Sequence, residues 1–80
     1  MTEMAIKLDT VDKVKNFVNA TNKFECDLDI ISSSKRYIID AKSIMGIFSL
    51  DLSKNLTLVI HSKDAKETEA VKAALKDFAA

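Results

Sequence analysis

AKSIMGIFSL, residues 41–50, is the stretch around which the rest of this chain is organised. It holds Gly46, the only glycine in an 80-residue sequence that has no proline. Large apolar residues flank this glycine on both sides, namely Ile44, Met45, Ile47, Phe48 and Leu50. A helix of this composition has no polar stripe, so it must either be enclosed or present apolar side chains to a partner. The stretch therefore favours a binding role over a catalytic one.

The composition restricts the classes of partner. Twelve basic and twelve acidic residues cancel, so no net field attracts nucleic acid or an anionic membrane. The single cysteine, Cys26, excludes an internal disulfide and fits a reducing compartment. The first residues lack the pattern of a signal peptide, and no apolar run approaches the ~20 residues that span a bilayer. We expect a cytoplasmic monomer with protein partners, no membrane or nucleic-acid partner, no metal and no cofactor.

Hydrophobic periodicity predicts seven elements in one domain, residues 1–80. Alternation predicts strands near residues 4–8, 24–30, 37–41 and 56–61. Helices should follow caps at Asp9 or Thr10, at Ser43, and at Ser62 or Asp64. The order is β-α-β-β-α-β-α, and because all three helices need the same sheet face, the expected architecture is a two-layer α+β fold.

The same patterns assign residues to faces. The last helix should turn one stripe to the sheet, consisting of Val71, Ala74, Leu75 and Phe78. The sheet face away from the helices should lie largely in water, with Asp27, Asp29, Arg36 and Thr57 on it. Val59 and His61 should share the Thr57 face of the last strand. For the second helix, Ile47 and Leu50 can supply the one stripe that must be buried.

The segment KSIMGIFSL, residues 42–50, together with the element order, resembles the HPr family of the bacterial sugar phosphotransferase system. The agreement in element order covers about residues 4–78, whereas KSIMG is the specific motif. The resemblance implies an open-faced β-sandwich, in which an antiparallel sheet of strand order 1-4-2-3 carries three helices on one face. It also implies a protein-binding module rather than an enzyme.

The phosphoryl-accepting histidine of that family has no counterpart here. In the family it begins the first helix and is followed closely by an arginine and a proline. Thr10 stands at or next to the histidine position, and Asp12 stands near the arginine position. A helix N-terminus favours phosphate, but Asp9 and Asp12 already place negative charge there. The chain is therefore interpreted as a degenerate member that lacks the active-site histidine.

The regulatory serine of the family does have a counterpart. Gram-positive members are phosphorylated by a dedicated kinase on the serine that corresponds to Ser43. Phosphotransferase-system components, this kinase and a transcriptional regulator meet the apolar patch after it, here Ile44, Met45 and Phe48, with Lys42 beside the serine. A family variant without the histidine acts as a catabolite-repression cofactor. Phe48 replaces a methionine that is common at its position.

The residues of this segment can also serve the fold alone. Ser43 can be an ordinary helix N-cap, and Gly46 can allow close packing on a neighbouring backbone. The linker at residues 51–55 could cover Ile44, Met45 and Phe48. The alternative functions are a phosphocarrier with a non-standard acceptor, or a diverged domain unrelated to sugar transport.

The remaining chemically active residues are expected to have structural roles. His61, the only histidine, should lie at the end of the sheet opposite the first helix N-terminus, as a surface residue. Cys26 alternates with apolar neighbours and should be a small core residue. Acids alternate along the second strand at Glu25, Asp27 and Asp29, which predicts a solvated face and not a metal site.

Overall fold

The computed structural model describes the whole chain, Met1 to Ala80. Its elements are β1 (Thr2–Ile6), α1 (Val11–Thr21), β2 (Asp27–Ile31), β3 (Ile38–Asp40), α2 (Ile44–Phe48), β4 (Leu56–His61), α3 (Ala65–Ala74) and a 3₁₀ turn (Lys76–Phe78). The strands form one antiparallel sheet in the order β1-β4-β2-β3. The predicted α+β fold and its 1-4-2-3 strand order are thus confirmed. None of the helices is long and apolar enough to cross a membrane.

The hydrophobic core lies between the helices and one face of the sheet. Because strand side chains alternate between faces, every second residue of β2 and β4 enters it. The rings of Phe17 in α1 and Phe78 in the 3₁₀ turn pack edge to face, with centroids 5.3 Å apart. The thirteen residues of the core are Ile6, Leu8, Val14, Phe17, Leu28, Ile30, Ala41, Ile47, Leu56, Leu58, Ile60, Val71 and Leu75.

Strand β2 begins three residues later than alternation predicts. The amide of Phe24 donates to the carbonyl of Thr21, so the chain is still turning away from α1 at that point. Asp27 is the first residue of β2 with a strand partner, and that partner is His61, the last residue of β4. The length of β4 therefore decides where β2 can start.

One face assignment is wrong, and one residue on the open sheet face is unexpectedly buried. Ala74 is exposed, because α3 ends at this residue and the 3₁₀ turn that follows changes the helical period. Val59 lies on the sheet face away from the helices but is only 4% exposed. Its cross-strand neighbours are Glu3 and Asp29, whose side chains flank it on both sides. That face therefore contains a shielded apolar residue.

The C-terminal residues form a short strap along the outer edge of β1. The amide of Lys7 donates to the carbonyl of Phe78 at 2.9 Å, and the amide of Ala80 donates to the carbonyl of Ala5 at 3.0 Å. An isolated antiparallel bridge joins Ile6 to Ala79 between these two bonds. The strap covers the end of the β1 edge at residues 5–7 and leaves β3 as the opposite edge.

Candidate partner-docking site

Helix α2 begins at a side-chain cap. Ser43 has an extended backbone, with φ −100° and ψ 106°, and its Oγ accepts a hydrogen bond from the Gly46 amide at 3.1 Å. The predicted capping role is therefore confirmed. A helix of five residues is too short to persist in isolation, so contacts with the rest of the fold must hold it.

Three hydrogen bonds fix the chain just before α2. The Oγ1 of Thr21, a fully buried residue at the end of α1, lies 3.1 Å from the carbonyl oxygen of Ala41 and 3.0 Å from that of Val18, so its one proton is shared between these two acceptors. The amide of Lys42 donates to Asp40 Oδ1 at 2.8 Å, and its Nζ donates to the Phe24 carbonyl at 2.6 Å. The start of α2 is thus anchored to α1 and to the loop before β2. Neither the Thr21 contact nor the Lys42 tether has a signal in the sequence, because each joins residues about twenty positions apart.

The side chains of α2 divide into a buried and an exposed group. Ile47 is fully buried, whereas Ile44 and Leu50 are half-buried against the core. Met45 is 78% exposed and Phe48 is 42% exposed, so the linker at residues 51–55 does not enclose them. None of the surface depressions is lined by Met45 or Phe48, and this pair therefore projects from the surface. Leu50 packs against the core as expected, although it is less deeply buried than Ile47.

Gly46 provides space, although not for a neighbouring backbone as expected. A Cβ at this position would lie 3.2 Å from Ser43 Oγ and 3.5 Å from the Ile39 side chain. No glycine has a positive φ, so conformational freedom is not the reason for this residue. The absent side chain lets α2 approach β3 while the serine cap stays in place.

The N-terminus of α1 is already occupied by protein groups. Thr10 Oγ1 caps the helix by accepting from the Lys13 amide at 3.1 Å. Asp9 Oδ1 lies 3.0 Å from Lys13 Nζ, and this hydrogen bond holds the pKa of the Asp9 carboxyl below its ordinary value. Asp12 adds a further negative charge in the first turn. Thr10 and Ser43 are not brought together, because Ser43 lies beside the other end of α1, where Thr21 contacts Ala41.

His61 and Cys26 stand apart from the start of α1. The β1–β4 register pairs Ile60 with Thr2, which places His61 at the end of the sheet opposite the β1–α1 connection, as predicted. Its Nε2 is 2.9 Å from Asp29 Oδ2. Cys26 is half-buried against the core, and desolvation, reinforced by Glu67, raises the pKa of its thiol.

The chemistry of the site is that of recognition. No group of three or more His, Cys, Asp or Glu side chains is placed to hold a metal ion. Helix α2 presents the hydroxyl of its N-cap residue and two exposed apolar side chains, and hydrogen bonds hold the start of the helix in place. Fixed apolar projections are suited to insertion into a pocket of another protein.

Comparisons with known proteins agree with this architecture. The family model described as "PTS HPr component phosphorylation site" matches residues 13–80. HPr-C-His from Thermoanaerobacter tengcongensis is 25% identical and superimposes with a TM-score of 0.73, over 96% of this chain and 92% of that one. The phosphocarrier protein HPr from Bacillus anthracis str. Ames is 26% identical, with a TM-score of 0.64 over 91% and 92% of the two chains.

A third structure shows the fold alone. It is a histidine-containing phosphocarrier protein of Mycoplasma, 17% identical, with a TM-score of 0.69 over 95% of this chain and 93% of that one. The residues matched by the family model begin at Lys13, just after the Thr10 cap.

Proposed function

The chain belongs to the PTS HPr family, and from that premise we propose that it is a non-catalytic regulatory module of the sugar phosphotransferase system. It acts as a single domain, residues 1–80, and docks protein partners through residues 42–50. Its partners are phosphotransferase-system components, a serine kinase or a transcriptional regulator. The observation that carries the proposal is the exposure of Met45 and Phe48 on an anchored helix.

The docking surface consists of Lys42, Ile44, Met45 and Phe48. Met45 and Phe48 insert into the partner. Fully burying an exposed apolar side chain is worth ~1.5–3 kcal/mol, and Phe48, which is already partly covered, contributes less than this. Ile44 extends the apolar area towards the core. Lys42 contributes mainly by holding the start of α2 through its bond to the Phe24 carbonyl.

Phosphorylation of Ser43 regulates this surface. No acidic residue occupies the first turn of α2, so an added phosphate meets the free N–H groups and the helix dipole there. The nearby Asp40 carboxylate is bound to the Lys42 amide just before the cap. The N-terminus of α1 differs, since Asp9 and Asp12 lie there. A phosphate at Ser43 adds negative charge directly beside Ile44 and Met45, which changes which partners the surface accepts.

Phosphoryl transfer through a histidine is not part of the proposed function. Thr10 takes the position of the lost acceptor, and its hydroxyl is engaged as the α1 cap. His61, the only histidine, lies at the far end of the sheet and contacts Asp29. The alternative is a phosphocarrier with a non-standard acceptor, in keeping with the name of the similar Bacillus anthracis protein.

Intact mass after two separate incubations distinguishes these functions. With phosphoenolpyruvate and the first enzyme of the system, we expect no added phosphate, while the Bacillus anthracis HPr serves as the positive control. With ATP and an HPr serine kinase, we expect one added phosphate that the Ser43→Ala variant does not acquire. An acid-labile phosphate in the first incubation would favour the carrier function, and Asp9→Asn and His61→Asn would then locate it. No phosphate in the second would remove Ser43 from the proposal.

A further inference from the structure

The sheet face away from the helices carries two cross-strand rows of different chemistry. In the first row, each residue lies directly opposite the next on the adjacent strand: Glu3, Val59, Asp29 and Asp40. The second row, two positions along each strand, consists of Ala5, Thr57, Ile31 and Ile38. An acidic row therefore lies beside a mainly apolar row, and both cross all four strands.

The acidic row is unusual in a chain of zero net charge. The outward positions of the strands carry Glu3, Asp27, Asp29 and Asp40, and none of them carries Lys or Arg. Asp29 and Asp40 are directly paired across the strands, an arrangement of like charges that destabilises a sheet. His61 contacts Asp29, and Asp40 accepts only from a backbone amide. Lys42 lines a depression with Asp27, Asp29 and Asp40 and offsets part of their charge, so the face as a whole keeps a net negative charge that would repel nucleic acid and anionic lipid.

The apolar part of this face is accessible. Ile38 is 67% exposed at the edge strand β3. Together with Ile31 and Val59 it lines a depression of about 190 Å³. The other residues of the depression are Met1, Glu3, Asp29 and His61. A partner side chain entering the depression would meet apolar walls and an acidic rim.

We propose that this face binds a basic amphipathic helix of a partner protein. Four strands at about 4.8 Å separation give rows about 14 Å long, which matches ~ten helical residues at 1.5 Å rise. The two rows are about 7 Å apart along the strands, less than the diameter of one helix. A helix lying across the strands places apolar side chains over Ile31 and Ile38, and Lys or Arg side chains over Glu3, Asp29 and Asp40. Charge complementarity identifies the occupant. The surface adjoins the α2 docking surface only at Lys42, which lines a depression with Asp29 and Asp40.

Amide chemical shifts of the ¹⁵N-labelled chain test the proposal with two probes. The first is a capped helical peptide of about twelve residues, with leucines on one face and lysines beside them. The second replaces its lysines by glutamates. We expect saturable shifts at the amides of Ile31, Ile38 and Asp40 with the lysine peptide alone. Equal binding of the glutamate peptide, shifts confined to α1 and α2, or no saturable shift would each overturn the proposal.

A charge-matched pair of variants isolates the acidic row. The double variant Asp29→Asn with Asp40→Asn keeps the shape of both side chains and an acceptor oxygen on each. It should lower the affinity for the lysine peptide by at least about fivefold. Asp12→Asn with Asp77→Asn removes the same charge elsewhere and should leave the affinity unchanged. If the first pair impairs folding, Glu3→Gln repeats the affinity test, because the Glu3 side chain makes no hydrogen bond that the fold could lose. An equal loss of affinity in the Asp12→Asn, Asp77→Asn variant would overturn the assignment of peptide binding to this face.

Discussion

Ile47 and Phe48 are consecutive residues of α2 with opposite surroundings. Ile47 is fully buried, and Phe48 faces solvent with nearly half of its surface. We expect Ile47→Ala to lower the free energy of unfolding by ~2–5 kcal/mol, because it leaves a cavity in the core. Phe48→Ala should cost at most about 1 kcal/mol, as is usual near the surface. Urea unfolding measures both changes, with Met45→Ala as a second exposed control.

Equal losses for the Ile47 and Phe48 variants would show that α2 is enclosed. The proposed docking surface would then lose its main support. If Phe48→Ala leaves stability intact, the same variant becomes suitable for binding experiments. A weaker affinity for a partner could then be attributed to the missing ring, since the fold would be unchanged.

Cys26 has a pH dependence that follows from its position at the core. Desolvation and the nearby Glu67 carboxylate disfavour the thiolate, so the pKa of the thiol is raised above its ordinary 9.0. The folded state therefore holds this proton more tightly than the unfolded state. Its contribution to stability is complete below pH ~9 and is lost as the pH rises through the folded pKa.

The rate of alkylation measures this effect. Because the thiolate is the nucleophile, we expect iodoacetamide to modify Cys26 more slowly at pH 8 in the native chain than in urea. A short peptide containing residues 24–28 provides the reference rate for an accessible cysteine. A native rate equal to that of the peptide would contradict the raised pKa.

At the level of elements, local signals in the sequence were sufficient to predict a helix start where the helix begins with its own capping residue. Ser43 begins α2 as predicted, because a serine before an apolar helical run supplies its own hydrogen bond. The start of β2 at Asp27 was not predictable in this way, since it depends on the last residue of β4. The exposure of Ala74 depends on the 3₁₀ turn that follows α3.

In the candidate site, too, some features follow from local sequence and others depend on residues far apart in the chain. The missing polar stripe of residues 41–50 led to the prediction that Ile44, Met45 and Phe48 face outwards. Met45 and Phe48 are exposed, whereas Ile44 is half-buried against the core. The rows on the open sheet face require the strand register, which no local pattern contains. The Thr21 bond to Ala41 likewise joins positions twenty residues apart.

The bond from Thr21 couples α1 to α2. We expect Thr21→Val to reduce the free energy of unfolding by ~1–3 kcal/mol, because the side chain keeps its volume while the buried carbonyl of Ala41 loses a donor. Thr57→Val, at a half-exposed position on the open sheet face, is the matched control. Hydrogen exchange should also accelerate at the amides of α2. Unfolding and exchange like those of the control would show that α2 is anchored by other contacts.

At the scale of the whole molecule, the two proposed surfaces use different layers. Helix α2 lies in the helical layer, and the acidic row lies on the other side of the sheet, which the helices leave open. The molecule measures 31 × 25 × 20 Å, so two partners could approach it from different directions. A regulatory module built in this way can join two proteins without either one displacing the other.

The strap at the end of the chain also contributes to the stability of the whole fold. Ala80→Pro removes the amide that donates to Ala5 and is compatible with the extended backbone of Ala79, whose φ is −62° and ψ 137°. We expect the free energy of unfolding to fall by ~0.5–1.5 kcal/mol. Ala80→Ser keeps the amide and should unfold like the parent chain in urea. Identical unfolding of both variants would show that this bond contributes nothing.

The strap also limits aggregation. An exposed strand edge is a template for pairing with other chains. Here the end of the β1 edge is already paired with residues 78–80. The opposite edge, β3, has three residues and ends in a charged one, Asp40. Neither edge offers a long uncharged row of free backbone groups to a second molecule. The same contacts that hold the chain end therefore help to keep the protein from polymerising through its sheet.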